Sequence, residues 1–204
     1  MWRWRYFNLP YPLGIADIRH QDMINCDEAG IFLETVNRNR GKAHKTVRVV
    51  SCGPYSKTQK WNVMMGICGE DPQGQVPSRR WRTRWVQGGT TIERVIEFVT
   101  LVLDTIGHAT PARRYCFTMD NLSAHKNAAV AALIHGHGHR IIFWAPYYPV
   151  DGPIEYVFNT LQGILRSNMH NINDHASLLH EIDNGITAMD DFAPYFINCG
   201  FWRN

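Results

Sequence analysis

Arg114 to Lys126 reads RYCFTMDNLSAHK, and His139 to Gln162 reads HRIIFWAPYYPVDGPIEYVFNTLQ. The apolar run Tyr115–Met119 has the length and side chains of a buried strand, and it ends on an acid, Asp120. A helical stretch follows, then a second apolar run, Ile141–Trp144. Pro153 fits the first position of a further helix, and Glu155 stands two residues after it. Strand, helix, strand, helix is a parallel-sheet unit with a right-handed crossover. In open sheets of this kind ligands gather beyond the carboxyl ends of the strands. Asp120 and Glu155 are therefore expected at one edge of one sheet.

Upstream, Met23–Asp27 reads as a strand that continues toward Ile31-Phe32-Leu33, with Asp27 and Glu28 on opposite faces. Thr46–Cys52 and Trp61–Cys68 are β-rich runs bounded by glycine and proline turn signals. Three early strands suggest an antiparallel meander. Residues 70–90, rich in Gly, Pro and Arg, are expected to form a loop. A helix follows, with Thr90 and Glu93 at capping-box spacing and an apolar face of Ile92, Val95, Ile96, Val99, Leu103 and Ile106. Ser123 is placed to cap the helix running to Gly136. The helix after Pro153 buries Ile154, Val157, Phe158, Leu161 and Leu165, and a last helix over about 174–190 packs through Leu179, Ile182, Ile186 and Met189. This order predicts an α/β, ribonuclease-H-like fold: a five-stranded mixed sheet flanked by helices. Residues 1–21 read as an N-terminal arm or linker remnant, and residues 22–204 as one catalytic domain.

Hydrophobic residues are 45% and charged residues 19% of the 204, a globular balance that excludes a disordered chain. No apolar run approaches the roughly 20 residues of a membrane span, and no membrane partner is expected. The five cysteines are scattered and without a CxxC, as in an intracellular protein with reduced thiols. Charge is uneven: seven Lys/Arg and no acid lie between Arg38 and Lys60, and Arg79, Arg80, Arg82 and Arg84 alternate with Trp81 and Trp85. Guanidinium forks with aromatic faces suit a nucleic-acid backbone. The competing reading is a lid whose tryptophans plug the core.

Carboxylates brought together at a sheet edge raise one another's pKa, and divalent cations remove that conflict. Mg²⁺ takes a few carboxylates plus water and phosphate oxygens. Two such ions can clamp the attacking and leaving oxygens of a displacement at phosphorus. Asp27, Asp120 and Glu155 are thus a candidate metal set for phosphodiester chemistry. Taken singly, each acid has a plainer use: Asp120 as a turn cap, Glu155 as a helix-dipole partner, Asp27 as an arginine partner.

Three blocks of the chain carry a likeness to a known family. Cys26-Asp27-Glu28-Ala29-Gly30 is similar to a strand bearing Asp-Glu. Met119-Asp120-Asn121-Leu122-Ser123-Ala124-His125 is similar to an Asp-Asn-x-x-x-His block. Pro146-Tyr147-Tyr148-Pro149-Val150-Asp151-Gly152-Pro153-Ile154-Glu155 is similar to a Pro-Tyr-Ser-Pro-Asp-Leu-Asn-Pro-Ile-Glu signature. From about residue 20 onward the chain resembles the catalytic domain of the mariner superfamily of DDE transposases, which includes bacterial insertion-sequence enzymes. Thirty-four residues lie between Asp120 and Glu155, a spacing this superfamily uses.

The resemblance implies that Asp27, Asp120 and Glu155 bind two Mg²⁺ or Mn²⁺ ions. It implies hydrolysis at transposon ends, then strand transfer by a 3′-hydroxyl. The partners would be double-stranded DNA, as transposon end and target, and a second copy of the chain in an active homodimer. The site of action would be the nucleus in a eukaryotic host and the cytoplasm otherwise. His125 matches the family's histidine and would touch the metal site or DNA, against the plainer reading of a structural histidine. His135, His137 and His139 are expected in a solvated turn. Val150-Asp151-Gly152 departs from the Asp-Leu-Asn of the signature. Residues 1–21 are too short for the helix-turn-helix units that read transposon ends in such enzymes. Two other readings follow: a catalytically idle or domesticated DNA-binding relic, and a structure-directed nuclease of the same fold.

Overall fold

The computed structural model describes residues 2–33, 60–69, 79–86, 88–111, 113–145 and 152–201. The strand expected at Thr46–Cys52 and the turn Pro146–Asp151 lie outside these residues. The chain starts with helix α1 (Trp2–Asn8), followed by strand β1 (Met23–Phe32). Strands β2 (Lys60–Cys68) and β3 (Arg79–Val86) come next, then helix α2 (Ile92–Ile106). Strand β4 (Cys116–Met119), helix α3 (Ala128–Gly136) and strand β5 (Arg140–Phe143) form the crossover. Helices α4 (Pro153–Ser167), α5 (His175–Ala188) and α6 (Ala193–Asn198) complete the order.

The strands form one mixed sheet in the order β3-β2-β1-β4-β5. β1, β2 and β3 make an antiparallel meander, while β1–β4 and β4–β5 are parallel. The third strand of the meander is Arg79–Val86, where the sequence suggested a loop. Trp81 drives this difference, because it is buried against the α2 side of the sheet while the arginines beside it take the opposite face. Alternation with period two is a strand's signature even when one face is cationic.

Each face of the sheet has its own core. Ile24, Cys26, Met64, Phe117 and Met119 pack under α2 and α3. Met23, Ile31, Val63, Met65 and Ile67 pack under α4, α5 and α6. α4 buries Ile154, Val157, Phe158, Leu161 and Leu165, the stripe read from its sequence, each worth roughly 1.5–3 kcal/mol on full burial. α2 is turned slightly from its expected stripe: Phe98 and Val102 are buried, and Ile92, Ile96 and Ile106 lie at the margin. In α5 the buried leucine is Leu178 and not Leu179. Its cap is a capping box formed by Asp174 and Ser177.

Two other caps differ from expectation. Thr91, not Thr90, caps α2 through Arg94 N–H, because the Thr90 hydroxyl is turned toward Glu28. Asn127, not Ser123, caps α3, since residues 123–126 form a turn before the helix begins. The N-terminal stretch is not extended: α1 places Tyr6, and the following turn Ile15, in the core under α4. Cys26, Cys68, Cys116 and Cys199 are buried thiols, and Cys52 lies outside the described residues. Among the described residues no helix is long and apolar enough to cross a membrane.

The departure at Gly152 has a packing reason. Gly152 is the N-cap residue of α4, at φ −92°, a value open to any residue. A Cβ there would stand 2.5 Å from the ring of Trp144, which is itself buried. The glycine lets the chain enter α4 against that indole. Gly152→Ala is therefore expected to destabilise the protein by about 1–3 kcal/mol in denaturant titrations. In a Trp144→Leu background that penalty should largely vanish, and effects that add within about 0.5 kcal/mol would contradict the contact.

Candidate active site

Asp27 lies in β1, where alternation puts Met23, Asn25 and Asp27 on the α4 face and Ile24, Cys26 and Glu28 on the other. Asp120 follows the last residue of β4. The parallel register pairs Asn25 with Thr118, so two residues further on Asp27 stands level with Asp120. Neighbouring strands lie about 4.8 Å apart, which sets the scale of their separation. Glu155 is the third residue of α4, on the helix turn that docks beside these strands. Three acids from two strands and a helix thus meet at one edge of the sheet.

Their charges act on one another. Burial and the Glu28 charge push the Asp27 pKa up to about 8, against a hydrogen bond that Glu28 N–H donates to Asp27 Oδ1 at 2.8 Å. Asp120 and Glu155 push it in the same direction. Burial, then the charge of Asp120, raises Glu155. Asp120 is the exception. Burial opposes its ionisation, but His125, the Leu122 amide and Lys126 outweigh that and lower its pKa. His125 Nδ1 lies 2.5 Å from Asp120 Oδ1, and Leu122 N–H donates to the same oxygen at 2.9 Å. Oδ2 is the oxygen left for a ligand.

His125 is completely buried between two carboxylates, with Nε2 3.2 Å from Glu28 Oε2. Burial disfavours the imidazolium, but Asp120 and Glu28 outweigh it and hold the pKa at about 9. At neutral pH the ring is thus a cation, hydrogen-bonded to Asp120 through Nδ1 and paired in charge with Glu28 at Nε2. Glu28 is lowered for the same reason: burial opposes its charge, and His125 and Thr90 Oγ1–H, at 2.7 Å, more than compensate. Glu28 and Thr90 are residues that the sequence reading did not place at the site, Thr90 having been read as a helix cap. The adjacent acid on the opposite face of β1 was a signal, but its partner lay nearly a hundred residues away.

The four arginines behave differently. Arg80 donates to the carbonyls of Met189 and, at 3.1 Å, Thr187, at the end of α5. Arg84 pairs with Asp183 of α5, and Arg82 Nη2 lies 3.2 Å from the same carboxylate. These three guanidiniums fasten the edge strand to α5. Of Arg79 only the backbone is described, at the start of β3. His139 is also structural: it is buried, accepts from Tyr115 N–H at Nδ1 and donates from Nε2 to Gly107 O at 2.9 Å. His137 stacks on His108, with ring centroids 4.5 Å apart.

Among the described residues no three His, Cys, Asp or Glu side chains are already gathered tightly enough to hold an ion between them. The donor set nevertheless fits a hard divalent cation. It is all carboxylate oxygen, and Asp27 retains a proton near neutral pH because burial, and then the negative charge of its neighbours, disfavours its ionised form. A divalent cation meets that excess charge in place of the proton.

Residues 22–178 match the family profile described as DDE superfamily endonuclease. No curated protein matches the chain. Among solved structures, the Mos1 mariner paired-end complex with Mn is similar at a TM-score of 0.64 and 17% identity, over 88% of this chain and 52% of that one. The Mos1 transposase catalytic domain with raltegravir and Mg gives 0.56 and 13%, over 88% and 77%. The Mos1 mariner transposase catalytic domain crystallised by itself gives 0.55 and 14%, over 88% and 76%. The fold is therefore that of the mariner catalytic domain, with the ribonuclease-H-like sheet expected. The chain spans about half the length of the transposase in the paired-end complex.

Asp27 and His125 make stability depend on pH in the metal-free protein. Asp27 titrates at about 8 in the fold and near 3.8 outside it, so its contribution is full in acid and lost as the pH rises through 8. His125 titrates at about 9 in the fold and near 6.5 outside it, so its contribution is full below 6.5 and lost as the pH rises through 9. Glu28 and Asp120 are lowered and act in the opposite sense, in acid only. Thermal melts in EDTA are expected to show Tm falling between pH 6.5 and 9, with a shallower fall in Asp27→Asn. A Tm that climbs over that range, or a slope unchanged by the substitution, would contradict the charge balance.

Proposed function

This chain belongs to the DDE superfamily of endonucleases, and from that premise we propose that Asp27, Asp120 and Glu155 are its catalytic acids in the cleavage and transfer of DNA phosphodiesters. The observation that carries this reading is the convergence of these three acids, from β1, β4 and α4: the charges of Asp120 and Glu155 add to the burial and the Glu28 charge that hold Asp27 at a pKa of about 8. Structural ion pairs lower carboxylate pKa values, whereas a raised value in an acid cluster marks a site that awaits positive charge.

Asp27, Asp120 and Glu155 would hold Mg²⁺ or Mn²⁺, two ions in the full reaction. The metal supplies charge neutralisation at the scissile phosphate and activation of the attacking oxygen. The chain's own residues prepare that site. The His125 cation keeps Asp120 ionised and fixes its Oδ1, which aims the second oxygen outward. Glu28, itself held by the Thr90 hydroxyl, pairs with His125 from the far side of the sheet. Glu155 sits in the first turn of α4, where the helix dipole favours its charge. His125 is thus a positioning residue under the metal site and not a contact to DNA.

The substrate we infer is double-stranded DNA. The Mos1 relatives form a paired-end complex with a left transposon end and a strand transfer complex. By extension this domain would act at transposon ends, hydrolysing one strand and joining its 3′-hydroxyl to target DNA, as one half of a homodimer. In a eukaryotic host this work would take place in the nucleus, and otherwise in the cytoplasm.

The test is metal-dependent nicking of duplex DNA by the wild-type chain, with Asp27→Asn, Asp120→Asn and Glu155→Gln beside it. Each substitution is expected to lower the rate at least about 100-fold, the scale of removing a group that stabilises transition-state charge. Nicking that persists in all three folded variants would place the chemistry elsewhere.

A further inference from the structure

Asn25 is fully buried in the middle of the sheet, on the α4 face that also carries Met23, Asp27 and Ile31. An apolar residue is the default at such a position, since a buried amide is costly unless both ends are bonded. Both ends of Asn25 are bonded. Its Nδ2–H donates to Thr118 Oγ1 at 2.7 Å, and its Oδ1 accepts from Ile154 N–H at 2.8 Å.

The placement of these partners is the informative part. Asn25 stands two residues before Asp27, Thr118 two residues before Asp120, and Ile154 one residue before Glu155. A single amide therefore ties together the three elements that carry the three acids, each within two residues of its acid. It also completes a helix start that lacks a local cap. Gly152 offers no side chain at the N-cap, and Pro153 has no N–H. Ile154 N–H is thus an orphan donor of the first turn, and Asn25 satisfies it from a strand 129 residues away in sequence.

We infer that Asn25 is a positioning residue of the acid cluster, the bond that sets the start of α4, and with it Glu155, at a fixed distance from Asp27 and Asp120. The apolar stripe of α4 holds the helix to the sheet, but a stripe of branched side chains tolerates sliding along its own axis. A hydrogen bond to one backbone N–H does not. Metal-binding constellations require their ligands held to within about half an ångström, and Asn25 supplies that constraint at the ligand set's weakest point, the junction of sheet and helix. It makes no contact with substrate or metal and is not a catalytic residue. The inference rests on the proposed assignment of the three acids.

The test measures Mn²⁺ binding to the whole chain by electron paramagnetic resonance, with thermal melts alongside. Asn25→Leu keeps the number and branching of the side-chain heavy atoms and removes both bonds. Thr118→Val removes one anchor and leaves the bond to Ile154. Ile182→Ala opens a cavity in the same core, away from the acids, and serves as the control for stability alone. Asn25→Leu is expected to bind Mn²⁺ at least about 10-fold more weakly, the lower end of the range for residues that orient metal ligands. Thr118→Val should weaken binding by about threefold, and Ile182→Ala should lower Tm with Mn²⁺ affinity held within about twofold.

A folded Asn25→Leu protein that binds Mn²⁺ within about twofold of wild type overturns the inference. If Asn25→Leu does not fold, unchanged binding by Thr118→Val overturns it equally. Equal losses in Ile182→Ala would reduce Asn25 to a stability role. Wild-type protein that binds no Mn²⁺ would overturn the acid assignment itself, and this inference with it. That outcome is distinct from a wild-type protein that binds and a variant that binds as well.

Discussion

Four carboxyl groups, Asp27, Glu28, Asp120 and Glu155, meet at one edge of the sheet, and the folded chain must contain the repulsion that their ionisation would bring. It does so unequally. Glu28 and Asp120 share the buried His125 cation and are held ionised, whereas Asp27 and Glu155 have no such cation among the described residues and are raised, first by burial and then by neighbouring charge. One acid pair is settled within the fold, and the other two acids are left short of positive charge. That asymmetry separates a site from a structural ion-pair network, in which every charge is matched. The cost is stability that the metal-free chain forgoes, a trade seen where active sites keep groups in unfavourable surroundings.

The two faces of the sheet divide the labour. The α2 and α3 face carries Glu28, Thr90 and His125, which brace Asp120 from behind. The α4 face carries Asp27 and presents Glu155. Asp120, one residue beyond the end of its strand, is reached from both. The basic edge strand β3 has a third task. Its arginines anchor α5, which packs against α4, so charges that read as a nucleic-acid surface stabilise the helical layer over the site.

Local patterns were legible in the sequence and remote partnerships were not. Pro153, the stripe from Ile154 to Leu165 and the placement of Glu155 depend on helical period and one turn residue, and all are read within fifteen positions. The strand–helix–strand crossover that leads from Asp120 to Glu155 follows from apolar runs of strand length, whereas the parallel register that levels Asp120 with Asp27 is a pairing of strands remote in sequence. The strand Arg79–Val86 was hidden because its polar side is satisfied by Asp183, about a hundred residues on, and because Gly and Pro crowd the segment before it. Thr90 was assigned to a helix cap that Thr91 performs, since its tertiary partner Glu28 could not be seen locally. Asn25 gives no local signal of its role within the strand Met23–Asp27. Its two partners lie 93 and 129 residues away, and only the folded sheet brings them to it.

The central claim is that a divalent cation belongs among Asp27, Asp120 and Glu155. The most direct measurement is a crystal structure of the protein soaked in Mn²⁺, with the ion located by its anomalous scattering. The account expects an anomalous peak bridged by carboxylate oxygens of these three residues, with the His125–Asp120 hydrogen bond intact. A peak held by other side chains, or an empty acid cluster at millimolar Mn²⁺ in well-ordered crystals, would contradict it.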